Sequence, residues 1–204
     1  MFELYTFNTF NGQRASIMLE ETGLPYTVHR VDLFKGEQHS PKFLKLNPSG
    51  RIPVLVEYDD ESKPFVLTQS VAIVQYLAEK TGLFLPRSVK ERARLYEWMQ
   101  FHAIDIGGTF FNAFYLQQLC ATQYPEAAGE LRDRIHRYYR HFDRRLAKHE
   151  FLAGGDYTIA DIIAVPAALA QEEKLAEYQH LTRWLQQLKQ RPAVQRGMAV
   201  PDRE

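Results

Sequence analysis

Two periodicities of apolar residues alternate along the first third of the chain and predict alternating strands and helices. Phe2–Phe7 is predicted to be a strand, and so is Tyr26–Asp32, where apolar and polar residues largely alternate. Between them, Gly12–Thr22 carries apolar residues at helical spacing, with Asn11 as its expected N-cap and Gly23 as its stop. This order of strand, helix and strand favours a parallel strand pair with a right-handed crossover.

A second pair of strands and one more helix complete the pattern of the first part. Val54–Tyr58 and Phe65–Leu67 flank the polar segment Asp59–Lys63, which predicts an antiparallel hairpin. Ser70 is the expected N-cap of a helix that ends at Gly82. These elements together predict a compact α/β unit with one small sheet.

After a linker at Leu83–Ser88, only helical patterns follow. Glu91–Ile106 and Glu126–His149 carry apolar residues at three- and four-residue spacing. Thr158 and Asp161 form a capping box at the start of a further helix. We therefore divide the chain into an α/β domain at residues 1–82 and an all-helical domain at residues 83–204.

Charge and cysteine content exclude several classes of function. The chain has 25 Lys and Arg residues against 25 Asp and Glu, so its net charge provides no attraction to nucleic acid or to an anionic membrane. It contains no apolar run of the ~18–20 residues that a membrane span needs, and no secretory signal pattern. A single cysteine excludes an internal disulfide framework, and the histidines lack metal-ligand spacing. We expect a cytoplasmic globular protein without a metal, membrane or nucleic-acid partner.

Three junctions between elements carry polar groups that suit a ligand. Thr9 and Asn11 place two neutral donors at the start of the first helix, where an anion or a thiolate is favoured. Gln69 and Ser70 offer an amide, a hydroxyl and an N–H to a carboxylate at the start of another helix. Each pair, taken alone, also fits ordinary helix capping.

The third junction is Ile52-Pro53, directly before a predicted strand. A proline at this place indicates an edge strand or a special turn, such as a cis peptide. A cis bond would turn the main-chain N–H and C=O of Ile52 outward, where they could pair with a peptide-like ligand. A rigid turn without a ligand explains the same residues.

Three segments in this order resemble cytosolic glutathione transferases over essentially the whole chain. They are Asn47–Leu55 (NPSGRIPVL), Leu67–Leu77 (LTQSVAIVQYL) and Gly154–Ile162 (GGDYTIADI). The resemblance implies a thioredoxin-like domain at residues 1–82, an all-α domain at residues 83–204 and a homodimer. It also implies glutathione as the co-substrate.

Within that family, the Thr-x-Asn-Gly segment is similar to the bacterial Nu class, also called disulfide-bond-reductase-like transferases. The resemblance implies that Thr9 and Asn11 contact the glutathione sulfur. The segment NTFNGQR has no cysteine, and Tyr5 lies within the predicted strand, so the Cys- and Tyr-type arrangements do not fit. A Ser-type enzyme would need a serine at or beside position 9.

The same resemblance implies where the rest of glutathione binds. The Ile52–Pro53 segment would pair with the cysteinyl backbone, and Gln69 and Ser70 would hold the γ-glutamyl carboxylate. Gln38 would lie near the glycyl end. Gln69 replaces the usual glutamate, which removes a negative charge beside the γ-glutamyl amine.

These features predict an enzyme that activates the glutathione thiolate for disulfide reduction, for conjugation to small electrophiles, or for both. Arg132 and Arg134 are candidates for an arginine of the helical domain that contacts glutathione. The alternative is a non-catalytic ligand-binding or regulatory protein with the same fold.

Overall fold

The computed structural model describes residues 1–59 and 63–201, which form two compact units. The first unit consists of Met1–Leu83 together with the segment that begins at Lys189, and the second is Phe84–Leu188. This grouping differs from the predicted division at residues 82 and 83, because the last segment of the chain joins the first unit.

The first unit contains a four-stranded sheet and its helices. In chain order the elements are β1 (Phe2–Thr6), α1 (Phe10–Thr22), β2 (Tyr26–Arg30), a 3-10 turn (Glu37–His39), α2 (Pro41–Leu46), β3 (Val54–Glu57), β4 (Phe65–Thr68) and α3 (Ser70–Thr81). The strand order is β2-β1-β3-β4, with β1 parallel to β2 and β3 antiparallel to both neighbours. The predicted parallel pair, the hairpin and the thioredoxin-like architecture are confirmed. Residues 60–62 of the predicted polar segment lie outside the described residues.

Burial in this unit follows the position of each element in the sheet. All four residues of the central strand β3 are buried, whereas the edge strand β2 is partly exposed. Helix α1 buries every residue from Gly12 to Leu19, so it is surrounded by protein along most of its length.

The second unit is helical throughout its regular elements. These are α4 (Val89–Gln100), α5 (Thr109–Phe114), α6 (Pro125–Leu146), α7 (Ile159–Leu169) and α8 (Gln179–Lys189). Two π-helical segments, Phe101–Gly108 and Tyr115–Leu119, precede and follow α5, so the helix predicted at residues 91–106 continues with wider turns. The all-α prediction is confirmed for this part of the chain.

A last helix, α9 (Pro192–Ala199), packs on α1 within the first unit. The Ser16 hydroxyl donates to the Gly197 carbonyl at 2.6 Å, and Arg191 donates twice to the Glu21 carboxylate, at 2.7 and 2.8 Å. A Cβ atom at Gly197 would lie 2.5 Å from the Ile17 Cα. The two backbones are thus in direct contact, which only glycine permits at this position.

The predicted capping box at the start of α7 is confirmed. The fully buried carboxylate of Asp161 accepts hydrogen bonds from the main-chain N–H groups of Thr158 and Leu152, each at 3.0 Å. The indole N–H of Trp184 donates to it at 2.8 Å. Burial raises the pKa of Asp161 to about 6, against the opposing effect of these hydrogen bonds.

Replacing Gly197 with alanine should lower the free energy of unfolding by about 2–3 kcal/mol, because α9 must move away from α1 to admit the methyl group. The matched control is Gly129→Ala in α6, where the nearest atom to a new Cβ is Arg132 Nη2 at 4.0 Å. The free energy of unfolding of Gly129→Ala should rise by ~0.5–1 kcal/mol, because alanine has a higher helix propensity than glycine. Urea unfolding monitored by circular dichroism measures both changes. Equal stability of the Gly197→Ala variant and the original protein would contradict the close contact.

The raised pKa of Asp161 predicts a pH dependence with a definite sign. The unfolded chain releases this proton near pH ~4, whereas the folded protein keeps it until pH about 6. The folded state therefore binds more protons in this window, and the contribution of Asp161 to the free energy of unfolding falls as pH rises. The free energy of unfolding of the original protein, measured relative to that of Asp161→Asn, should fall by roughly 1–3 kcal/mol between pH 4 and pH 7. Urea titrations of both proteins across this pH range measure the difference. A stability difference that stays constant or grows over this range would show that the prediction is wrong.

Candidate functional site

The start of α1 lies against the end of β1. Thr9 is the N-cap of α1: its Oγ1 accepts a hydrogen bond from the Gly12 N–H at 3.1 Å. The expectation that Asn11 would be the cap is wrong, since the helix begins earlier, at Phe10. A Cβ at Gly12 would lie 2.3 Å from the Phe7 carbonyl oxygen, so glycine permits this close approach of helix and strand.

Capping leaves Thr9 able to bind a ligand. A hydroxyl can accept one hydrogen bond and donate another, so the Thr9 hydrogen is not used by the cap. Thr9 is half-buried and Asn11 is exposed, and the first turn of α1 contains no acidic residue. The helix start therefore combines a partial positive charge with neutral donors, which suits an anion.

Asn11 and Ser70 are brought together by a side chain that the sequence analysis missed. Nη1 of Arg14 donates to Asn11 Oδ1 at 2.7 Å and to Ser70 Oγ at 3.2 Å. The Ser70 hydroxyl in turn donates to Asn11 Oδ1 at 3.2 Å. Arg14 and Ser70 are both buried, with 5% and 7% of their surfaces exposed. The i, i+3 spacing of Asn11 and Arg14 places both residues on one face of α1, but it does not indicate the contact with Ser70.

Gln69 begins α3 in an unusual backbone conformation. Its φ of 70° and ψ of 111° lie in a region that residues other than glycine rarely adopt. Gln69 is the N-cap, and Ser70 is the first helical residue, so the expectation that Ser70 would cap the helix is wrong. Such strain costs ~1–3 kcal/mol and is typical of functional positions. The Gln69 side chain is exposed.

The loop before β3 is built around Asn47. Its Nδ2 donates to the Arg51 carbonyl at 2.6 Å, and its Oδ1 accepts from the Ser49 N–H at 3.1 Å. The Ile52–Pro53 peptide bond is cis, which is one of the alternatives that the proline indicated. The other alternative, an edge strand, is wrong, because β3 lies between β1 and β4. Ile52 is half-buried and Pro53 is buried.

Gln38 lies beside this loop. A Cβ at Gly50, which has a φ of 63°, would lie 3.3 Å from the Gln38 carbonyl oxygen and 3.0 Å from His39 Nδ1. The 3-10 turn that carries Gln38 therefore packs on the loop that carries Ile52 and Pro53. Gln38 Oε1 is buried and accepts no hydrogen bond from the described residues.

The arginines predicted in the helical domain occupy different surroundings. Arg132 donates to the Gln117 side chain, and Nε of Arg134 donates to Tyr138 Oη at 2.6 Å. Both lie in the second unit, and a contact of either with glutathione stays a prediction.

Two further features bear on the chemistry. Among residues 1–59 and 63–201, no group of three His, Cys, Asp or Glu side chains could hold a metal ion. No helix in those ranges is both long and apolar enough to cross a membrane. The single cysteine, Cys120, is a free thiol of intermediate exposure that directly follows the second π-helical segment.

Comparison with known proteins identifies relatives over nearly the whole chain. The model of the glutathione S-transferase N-terminal domain matches residues 11–80, and that of the C-terminal domain matches residues 102–192. The disulfide-bond oxidoreductase YfcG of Escherichia coli (strain K12) is 34% identical over 95% of this chain and 93% of its own length. A second E. coli protein, the disulfide-bond oxidoreductase YghU, is 34% identical over 97% of this chain and 74% of its own length.

Solved structures agree with this comparison. One is a glutathione transferase from Burkholderia graminis with two glutathione molecules bound per subunit. It is 32% identical to this chain, with a TM-score of 0.89, and the match covers 100% of this chain and 89% of the other. Another is a glutathione transferase from Pseudomonas putida with one glutathione disulfide bound per subunit. It is 30% identical to this chain, with a TM-score of 0.86, and the match covers 98% of this chain and 91% of the other.

Proposed function

This chain belongs to the glutathione transferase family, and we propose that it uses the thiolate of bound glutathione to reduce disulfides and to conjugate small electrophiles. The observation that carries the proposal is the start of α1, where Thr9 and Asn11 place neutral donors at a helix N-terminus. Two relatives named disulfide-bond oxidoreductases support the choice of disulfide reduction.

The proposed binding mode places the two ends of glutathione on different elements of the first unit. The γ-glutamyl carboxylate binds at the start of α3, where Gln69 and Ser70 lie and the first turn has no acidic residue. The Ser70 hydroxyl already donates to Asn11, so we assign the carboxylate contact to the N–H groups of this first turn. The cysteinyl backbone pairs with the main chain of Ile52 beside Pro53.

The glycyl end then lies towards Gln38. The 3-10 turn of Gln38 packs on the Ile52–Pro53 loop, so a tripeptide paired with Ile52 extends within reach of this turn. The Gln38 amide would provide a neutral donor for the glycyl carboxylate. This arrangement leaves the sulfur for Thr9 and Asn11.

Thiolate formation is the first chemical requirement. A free thiol has a pKa of ~8.5, and each unit by which binding lowers it corresponds to ~1.4 kcal/mol of preference for the thiolate. The partial positive charge of the α1 N-terminus, the Thr9 hydroxyl and the Asn11 amide all favour the anion. They act as donors to sulfur and do not themselves attack the substrate.

Disulfide reduction requires two glutathione molecules in turn. The first thiolate attacks one sulfur of the substrate disulfide, which forms a mixed disulfide and releases a substrate thiolate that takes up a proton. A second glutathione thiolate then attacks the glutathione sulfur of the mixed disulfide, which yields glutathione disulfide and the second substrate thiol. The relatives crystallised with two glutathione molecules, or with glutathione disulfide, support this sequence.

The experiment that tests the proposal is a pair of steady-state assays with the purified chain. One follows glutathione-dependent reduction of 2-hydroxyethyl disulfide, and the other follows conjugation of chlorodinitrobenzene. We expect disulfide turnover to exceed conjugation. Conjugation without disulfide turnover would be consistent with a glutathione transferase but would overturn the assignment to disulfide reduction. Saturable glutathione binding without turnover in either assay would favour the non-catalytic module instead.

The Thr9→Ala/Asn11→Ala double variant should lower disulfide turnover at least ~100-fold, because it removes both side-chain donors to the sulfur. Thr9→Asp is the matched control for helix capping, since aspartate caps a helix well but offers the thiolate a negative charge in place of a donor. This control should keep its melting temperature and still lose turnover. Full turnover in the double variant would refute these roles.

Gln69→Glu should tighten glutathione binding ~3–10-fold, because it places a carboxylate beside the γ-glutamyl amine. Gln38→Glu makes the same chemical change near the glycyl carboxylate and should weaken binding. Isothermal titration calorimetry with reduced glutathione measures both constants. Weaker binding by Gln69→Glu would contradict the proposed orientation of the tripeptide.

A homodimer and a cytoplasmic location are part of the same proposal. Large apolar side chains on α5 and its flanking π-helical segments are exposed, namely Ile104, Phe111, Phe114, Tyr115 and Leu119. Such a surface in a soluble protein supports contact with a partner subunit.

A further inference from the structure

Arg14 is a buried cation at the centre of the candidate site. It lies in the first half of α1, and only 5% of its surface is exposed. Burying a guanidinium group is costly, and an apolar side chain of similar volume often gives equal or greater stability at such a position. The contacts of this charged group with Asn11 and Ser70 therefore point to a function beyond stability.

The contact with Arg14 fixes the orientation of the Asn11 amide. A guanidinium N–H can only donate, so the Asn11 atom 2.7 Å from Arg14 Nη1 must be the oxygen. The Ser70 hydroxyl donates to the same oxygen. Rotating the amide by 180° would set its NH2 group against the N–H of Arg14. The N–H donors of Asn11 are consequently directed away from Arg14.

The same nitrogen also orients Ser70. Nη1 of Arg14 has two hydrogens, which serve Asn11 Oδ1 and Ser70 Oγ. Because Ser70 Oγ accepts from Arg14, its own hydrogen is directed to Asn11. One guanidinium group thus joins the first turn of α1 to the first residue of α3.

We propose that Arg14 is a positioning residue that couples the two anion-binding helix starts, by holding the Asn11 N–H donors towards the glutathione sulfur and Ser70 in place for the γ-glutamyl carboxylate. The inference rests on the proposed binding mode of glutathione. The positive charge of Arg14 also stabilises both anions. Without Arg14, the Asn11 amide can rotate and present its oxygen to the thiolate, which repels it.

The test is a pH titration of the bound glutathione thiol, followed by thiolate absorbance near 240 nm at saturating glutathione. Arg14→Met should raise the thiol pKa by about one unit, a ten-fold loss of thiolate at pH values well below it. Glutathione affinity should also fall several-fold. Arg14→Lys keeps the charge but loses the planar donor geometry, so it should give an intermediate pKa.

Arg191→Met is the matched control, because it also removes an arginine that is hydrogen-bonded to a residue of α1. Arg191 pairs with Glu21 near the other end of the helix, so the control should lower stability without changing the thiol pKa. An unchanged thiol pKa in Arg14→Met, beside a raised one in Asn11→Ala, would overturn the role of Arg14 alone. If Asn11→Ala also leaves the thiol pKa unchanged, the proposed sulfur contact itself fails. If Arg14→Met does not fold, the test uses Arg14→Lys instead. A thiol pKa in Arg14→Lys equal to that in the original protein would then refute the proposal.

Discussion

The hydrogen bonds that join the first turn of α1 to the first residue of α3 are the contacts on which the candidate site depends. Arg14, Asn11 and Ser70 form a triangle of hydrogen bonds, in which each side chain bonds to the other two. The triangle holds two helix N-termini side by side, and each N-terminus attracts negative charge. Glutathione has negative groups at its carboxylates and, once ionised, at its sulfur. The proposed chemistry follows from bringing these two helix starts together.

The rest of the first unit keeps α1 in the position that this triangle requires. Gly12 lets the helix start approach the end of β1, and Gly197 lets α9 approach the middle of the same helix. The C-terminal segment therefore supports α1, which carries the proposed sulfur site, although the segment is far away in sequence. Its loss would act on the site through the position of α1.

Most of the fold of the first unit could be predicted because its signals are local. Alternation marks the strands, and glycines at positive φ end α1 and α3 at Gly23 and Gly82. Thr9 and Asn11 were identified as candidates, but their local roles were exchanged. Either residue can cap a helix, and only the position of the strand end decides which one does.

Two features could not be predicted, because they depend on contacts between residues that are distant in sequence. An arginine at helical spacing from Asn11 is an ordinary surface residue by pattern, and it becomes part of the site only because Ser70 lies beside it. The return of α9 to α1 is likewise set by the fit of one glycine to Ile17. No helix was predicted at residues 192–199, so neither α9 nor the helix on which it packs was anticipated from the sequence.

In the proposed reaction, the reacting thiol belongs to glutathione bound at the start of α1 and not to the protein. The chain has one cysteine, so a single variant separates the two possibilities. The most direct measurement is glutathione-dependent reduction of 2-hydroxyethyl disulfide by Cys120→Ser, compared with the original protein at saturating glutathione. We expect equal kcat values for the two proteins, because the reacting sulfur belongs to glutathione. Loss of turnover in a folded Cys120→Ser variant would contradict this expectation, because the exchange would then run through the protein's own sulfur.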